Sequence, residues 1–291
     1  MVRWMKVAVQ TGAECEEAVT QILLSAGAQG VVLEGDGSRR AVVAYLPEHT
    51  QVSVDDLEQR VRDLERYGLE PGPARVSVEW VQDEDWAESW KRHYQPLAIG
   101  RRLLVKPAWV RAPYDGRIVI ELDPGMAFGT GYHPTTALCL EALEELVQEG
   151  DTIVDVGTGS GILAIAAARL GAGSIVAVDI DPQAVQVARE NCRRNGVHER
   201  VWVATGSTAA ASALLAGKQA RLVVANILAD VISDMAEELY GLLQPGGLLV
   251  ASGIIDDACP QVQESLVRAS FAVREERARA EWRCLIAERT S

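Results

Sequence analysis

The chain has no apolar run long enough to read as a membrane span, which takes about 20 predominantly apolar residues. Its start, MVRWMKVAVQ, lacks the apolar core and cleavage site of a secretory leader, so a cytoplasmic protein without membrane attachment is expected. Cysteine is scattered: Cys15, Cys139, Cys192, Cys259 and Cys284 form no CxxC pair. That spacing excludes a disulfide framework and predicts buried free thiols in a reducing compartment. The four histidines are equally dispersed, and no metal site is expected. Basic charge is short as well, with 28 Lys and Arg against 41 Asp and Glu, a formal net charge of −13. Nucleic acid requires basic surface to neutralise its phosphates, so no stable nucleic-acid binding is expected, and a macromolecular partner should be basic.

What the chain does have is the stretch Asp155 to Gly161, DVGTGSG, set between apolar runs. Thr152 to Val156 reads as a buried parallel strand, GILAIAAARLGA as an Ala-rich helix ending near Gly171, and SIVAVDID as the next strand. Asp179 closes that second strand twenty-two residues after Gly157, near the spacing at which an acid accepts hydrogen bonds from ribose hydroxyls. The glycines Gly157, Gly159 and Gly161 let the backbone turn tightly beside a ligand. Ile162 stands where a GxGxxG dinucleotide fingerprint wants its third glycine. The order DxGxGxG instead resembles motif I of the class I S-adenosylmethionine methyltransferases, with Asp179 resembling their motif II acid. Asp181, before Pro182 and a helical pattern, reads as an N-cap.

Residues 1–80 have a different rhythm, strand, helix, two strands, helix, strand, which is the ferredoxin-like order. RNA-binding modules share that order, but AVVAYLP lacks their aromatic pattern, and residues 1–80 carry eight Lys and Arg against thirteen Asp and Glu. A substrate-recognition role fits better than RNA binding, with a purely structural role as the alternative. Residues 81–100 read as a linker helix whose Trp86, Trp90 and Tyr94 share one face and pack against a domain, with a ligand-binding aromatic face as the alternative. Residues 101–291 form the third segment, an α/β domain. It opens with two strand-like runs and the loop LDPGMAFGTGYHPTT, which has no GK[ST] pair and is no P-loop. Gly125, Gly129 and Gly131 would let the loop close over a ligand, with Phe128 as a lid. Thr135 and Thr136 offer hydroxyls to a ligand or caps to the helix that follows.

Further on, QARLVVAN gives a strand ended by Asn226, ILADVISDMAEELYGLL a long helix, and PGG a turn into another strand. Carboxyl ends of parallel strands face the ligand crevice, so Asn226 should meet the Asp155 to Asp179 elements there, as a functional side chain or as a strand-end turn residue. FAVREER and EWRCLIAER supply two more strands and complete a seven-stranded sheet.

Taken together, LDPGMAFGTGYHPTT, DVGTGSGILAIAA, AVDIDPQAV, VVANILA and the linker DWAESWKRHYQP resemble the ribosomal protein L11 methyltransferases over nearly the whole length. Tyr132 departs from the family's usual Thr or His in that loop. The resemblance implies a Rossmann-like class I methyltransferase domain behind a ferredoxin-like domain, acting as a monomer. It also implies S-adenosylmethionine as cofactor, held by Thr136, Gly157, Asp179 and Asn226, with Phe128, Thr135, Gly159 and Gly161 nearby and Asn226 catalytic. The reaction implied is N-methylation of lysine side chains and the N-terminal amine of a large-subunit ribosomal protein. An RNA or small-molecule methyltransferase on the same fold is the alternative, although NILA at Asn226 is unlike the NPPY sequence of nucleic-acid enzymes.

Overall fold

The computed structural model describes residues 3–12, 15–28, 31–34, 41–47, 50, 53–67, 71–82, 95–110, 116–122 and 133–290. Phe128, the loop glycines and the Trp86, Trp90 and Tyr94 stripe lie outside the described residues. The chain divides into two units, Met1–Tyr94 and Gln95–Ser291.

In the first unit the order is β1 (Arg3–Gln10), α1 (Glu16–Ser25), β2 (Val31–Glu34), β3 (Ala41–Pro47), α2 (Val54–Arg62) and β4 (Arg75–Gln82). The strands form one antiparallel sheet, β2-β3-β1-β4, in which β1 pairs with both β3 and β4. This is the ferredoxin-like topology expected from the sequence. Strand alternation sends Met5, Val7 and Val9 to one face, where they meet Val19 and Leu23 of α1 and Leu57 and Val61 of α2. The second helical run stops earlier than its pattern suggests: after Arg62 the chain tightens into a 3₁₀ turn over Asp63–Tyr67.

The expected linker helix over 81–100 is undescribed between 83 and 94, and its two described ends are strand. Val81 and Gln82 finish β4, while β5 (Leu97–Ile99) begins a three-stranded sheet, β5-β6-β7, with β6 (Leu103–Pro107) and β7 (Ile118–Leu122). The outer edge of β7 is closed by a side chain. Asn195 accepts from the Glu121 N–H at 2.9 Å and donates to the Glu121 carbonyl at 2.7 Å, so its amide stands in for a neighbouring strand.

The principal sheet carries α3 (Pro134–Leu146), α4 (Ile162–Leu170) and α5 (Pro182–Arg194) on one face. The other face bears α6 (Thr208–Leu215), α7 (Ala229–Asp234), α8 (Ala236–Leu242) and α9 (Cys259–Arg268). Its strands are β8 (Thr152–Val156), β9 (Ser174–Asp179), β10 (Val201–Thr205), β11 (Ala220–Asn226), β12 (Leu243–Ile255), β13 (Phe271–Arg279) and β14 (Trp282–Arg289). They run in the order β10-β9-β8-β11-β12-β14-β13, the seven-stranded sheet expected. The first five are parallel, and β14 is antiparallel to both β12 and β13. Covered on both sides, the central parallel strands β8, β9 and β11 are largely apolar, whereas the edge strand β13, FAVREERAR, is mostly charged and exposed. Ile153, Ile175, Leu222 and Val224 pack toward α3, α4 and α5, while Val154, Val176, Val223 and Ala225 pack the other way.

Two sequence expectations change here. The long helix after Asn226 is two short ones broken at Met235, whose backbone (φ −96°, ψ 6°) leaves the helical region. The PGG segment is an irregularity inside β12, where β11 pairs Ala220 with Leu243 and then Leu222 with Leu248. All five cysteines are buried and free. Among the described residues no helix is long and apolar enough to cross a membrane. Asn195→Ala would strand both backbone groups of Glu121, and a loss of about 1–3 kcal/mol is expected in urea unfolding.

Candidate functional site

The turn after β8 is built from three left-handed glycines, Gly157 (φ 74°), Gly159 (φ 53°) and Gly161 (φ 85°). Asp155, wholly buried, braces it: one carboxylate oxygen accepts from the Thr158 hydroxyl at 2.6 Å and from the Ala164 N–H at 3.1 Å. Its other oxygen is buried with no hydrogen-bond partner among the described residues. Burial pushes the Asp155 carboxyl up to about 7, against those two hydrogen bonds, and the charge of Asp179 adds to the rise.

Asp179, at the end of β9, spans the adjoining turns. One of its oxygens accepts from the Gly159 N–H at 2.8 Å and the other from the Asp181 N–H at 3.0 Å. Asp181 caps α5 as expected, accepting from the Gln183 N–H at 2.8 Å with Pro182 in the first helical position. The carboxylate is thereby fixed over the glycine turn before any ligand arrives.

Asn226 ends β11, across β8 from β9, in register with Ser252 of β12. Its amide N–H donates to the Thr136 hydroxyl at 3.3 Å. Thr136 is fully buried and supports Asn226 from behind, while Thr135 reaches the cavity. Neither threonine is the helix cap. That position belongs to His133, whose Nδ1 accepts from the Thr135 N–H at 3.4 Å and contacts the Thr135 hydroxyl at 2.7 Å.

Gly157, Gly159, Asp179, Thr135 and Asn226 line one cavity of about 570 Å³, a volume suited to a cofactor-sized ligand. Gly161 stands apart: a Cβ there would meet Ala188 of α5 at 3.2 Å, so this glycine serves helix packing. Gly157 is confined on its cavity side, since a Cβ would fall 2.3 Å from the Ile227 side chain. The backbone beyond Asn226 is wedged likewise, with a Cβ on Gly253 falling 2.1 Å from the Ile227 carbonyl oxygen.

Sequence reading missed His133 and Trp282, both of which line the cavity. Their rings meet at 4.7 Å with an interplanar angle of 69°. The signal for His133 was Pro134, because a proline in the first helical turn marks the preceding residue as the cap. Trp282 carried no local signal; pairing with Ile255 of β12 brings it to the strand ends. Ile180 and Leu228 add exposed apolar surface to the rim.

A nucleoside carrying a vicinal diol fits these residues: a pre-set carboxylate, a glycine turn with close backbone approach, and an apolar wall. The family model described as "Ribosomal protein L11 methyltransferase (PrmA)" matches residues 3–290. A ribosomal protein L11 methyltransferase of Pelotomaculum thermopropionicum is 46% identical, the match covering 98% of each chain. One from an Exiguobacterium species is 41% identical over 99% of each. Among solved structures, ribosomal protein L11 methylase from Lactobacillus delbrueckii subsp. bulgaricus is similar at a TM-score of 0.60 and 34% identity, covering 68% of this chain and 100% of its own.

The brace at Asp155 generates a pH dependence. An ordinary aspartate titrates near 3.8, so between about pH 4 and pH 7 the folded chain holds a proton that the unfolded chain releases, and stability falls as pH rises. Asp155→Asn keeps the shape and removes the titration. Urea midpoints at about pH 5 and about pH 8 should therefore drop less in the variant than in the parent. Equal drops would show that Asp155 does not titrate in that window.

Proposed function

Since the chain belongs to the ribosomal protein L11 methyltransferase family, S-adenosylmethionine-dependent enzymes, we propose that it methylates lysine side chains and the N-terminal amine of ribosomal protein L11. The observation that carries the reading is Asn226, held by buried Thr136 on the same cavity wall as the glycine turn and Asp179. The chain's −13 charge also suits a basic ribosomal protein better than RNA.

S-adenosylmethionine, when bound, supplies a methyl carbon made electrophilic by its sulfonium. Asp179 is the acceptor for the ribose hydroxyls, and its two backbone N–H bonds keep it oriented for that task. Gly159 brings bare backbone against the ligand, and Gly157 gives its Cβ space to the Ile227 side chain that lines the same cavity. Thr135 adds a hydroxyl from the start of α3, and Phe128 is assigned as a lid. A lysine ammonium has no lone pair and an ordinary pKa near 10.4, so the site must favour its neutral form. The apolar wall does so by desolvation. With its N–H committed to Thr136, Asn226 turns its carbonyl oxygen to the amine and orients the lone pair. No dedicated base is needed when the released proton passes to water. Alignment of amine and methyl accounts for much of the acceleration, for which well-oriented reactions gain about 7–11 kcal/mol.

Intact-mass spectrometry of L11 incubated with enzyme and S-adenosylmethionine tests the reading. Mass steps of about 14 Da per methyl group support it, whereas unmodified L11 beside methylated ribosomal RNA would replace it with RNA methylation. Asn226→Ala should lower kcat about 100-fold, the loss that follows removal of one preorganised hydrogen-bonding group, with a smaller change in cofactor affinity. Unchanged turnover would remove Asn226 from the mechanism. Asp179→Ala should instead raise the S-adenosylmethionine dissociation constant at least about tenfold by calorimetry. An unaltered constant would place the ribose elsewhere.

A further inference from the structure

The cavity has two chemically different ends. Toward β9 lie Asp179 and the glycine turn; toward β14 lie Asn226, His133 and Trp282. Asn226, Val224 and Leu222 share a face of β11 by strand alternation, and Trp282 shares a face of β14 with Cys284 and Ile286. Both are the face covered by α3, whose first residues follow His133. Hence Asn226, His133 and Trp282 meet beneath one helix N-terminus, on the side away from Asp179.

Trp282 is also held firmly. It opens β14 just after the two-residue turn Ala280–Glu281, pairing with both Arg279 and Ile255. The turn is pinned to the end of β12: the Asp256 N–H donates to the Glu281 carbonyl at 2.9 Å, and Arg283 pairs with Asp256 while donating to the Ala280 carbonyl at 2.9 Å. His133 lies crosswise against the indole. Its burial lowers its basicity, opposed by the charge of Glu281.

We infer that Trp282, backed by His133, is the wall against which the acceptor nitrogen turns, and that it determines how many methyl groups that nitrogen collects. The inference rests on the amine-methylating reading above. In each round the nitrogen lone pair forms the N–C bond as the C–S bond breaks. The bonding pair stays on sulfur, leaving a neutral thioether and an alkylammonium, which gives one proton to water before the next round. A neutral primary amine offers Asn226 two N–H groups, a monomethylamine one, and a dimethylamine none. Directional hydrogen bonding therefore fades as methylation proceeds. An indole face loses nothing in that progression, because it attracts the ammonium charge and packs against N-methyl groups, as the aromatic cages that bind quaternary ammonium ions do. Asn226 governs the first transfer and Trp282 the last.

The test follows L11 by peptide-level mass spectrometry during incubation with excess S-adenosylmethionine, scoring unmodified, mono-, di- and trimethyl forms of each modified amine. Trp282→Ala is expected to slow the last transfer about tenfold more than the first, so that mono- and dimethyl forms accumulate. Trp282→Phe, which keeps a π face, should recover most of the trimethyl product. Trp282→Leu, which keeps apolar bulk alone, should resemble alanine, and this holds the test open even if the alanine variant unfolds. Equal slowing of every transfer, full activity of the leucine variant, or a parent enzyme that stops at one methyl would overturn the inference. A parent enzyme that leaves L11 unmodified overturns the amine reading itself, and that outcome is visible before any variant is compared.

Discussion

The site depends on one constraint, the parallel pairing of β8 between β9 and β11. Val156 lies beside Val178 on one side and Ala225 on the other. Three chains running the same way must end together, so the residues that follow, Gly157, Asp179 and Asn226, are delivered to one edge of the sheet. Everything chemical is then a matter of what each strand carries in its last position or just beyond it. The pairing is itself maintained by apolar packing on both faces, and shifting β9 by one residue would exchange those faces and rotate Asp179 away from the glycine turn.

Much of this was readable because it is local. A strand, a glycine turn, a helix, a second strand and an acid follow one another within some thirty residues, and the Asp181 cap with Pro182 is set by two adjacent side chains. The order of elements in residues 1–80 was legible for the same reason, since each strand and helix shows its own apolar period. What escaped was produced by distance. Trp282 reaches the cavity only because β14 runs antiparallel beside β12, and nothing near position 282 announces that. The division of α7 from α8 at Met235 was hidden because both pieces keep a helical pattern and neither glycine nor proline marks the break. Thr135 and Thr136 were hard to separate in sequence, being neighbours of one type. The helix turn gives the first to the cavity and the second to Asn226.

The electrostatic plan of the site is sparse. Two carboxylates flank the glycine turn, and they differ in exposure and in role. Asp179 faces the cavity and has its geometry set by backbone N–H groups, whereas Asp155 is sealed behind the turn. The charge of Asp179 adds to the burial that lets the Asp155 carboxyl keep its proton. The remaining wall is largely apolar, in keeping with a reaction that asks for alignment and desolvation more than for proton transfer.

Ile227 gives the cavity floor its mechanical character. Its side chain lies over Gly157, its carbonyl over Gly253, and its N–H bonds to the Ser252 carbonyl at 3.1 Å, so one residue is clasped between the loop after β8 and the body of β12. Such a clasp has no slack. Lifting the β11 loop exposes the amide of Ile227 and uncovers Gly157, while the Gly157 N–H stays tied to the Val178 carbonyl at 2.9 Å, so the two amides should exchange with solvent in separate openings. Packing this close leaves the Ile227 side of the cavity without space for even one added methyl group, at Gly157 or at Gly253.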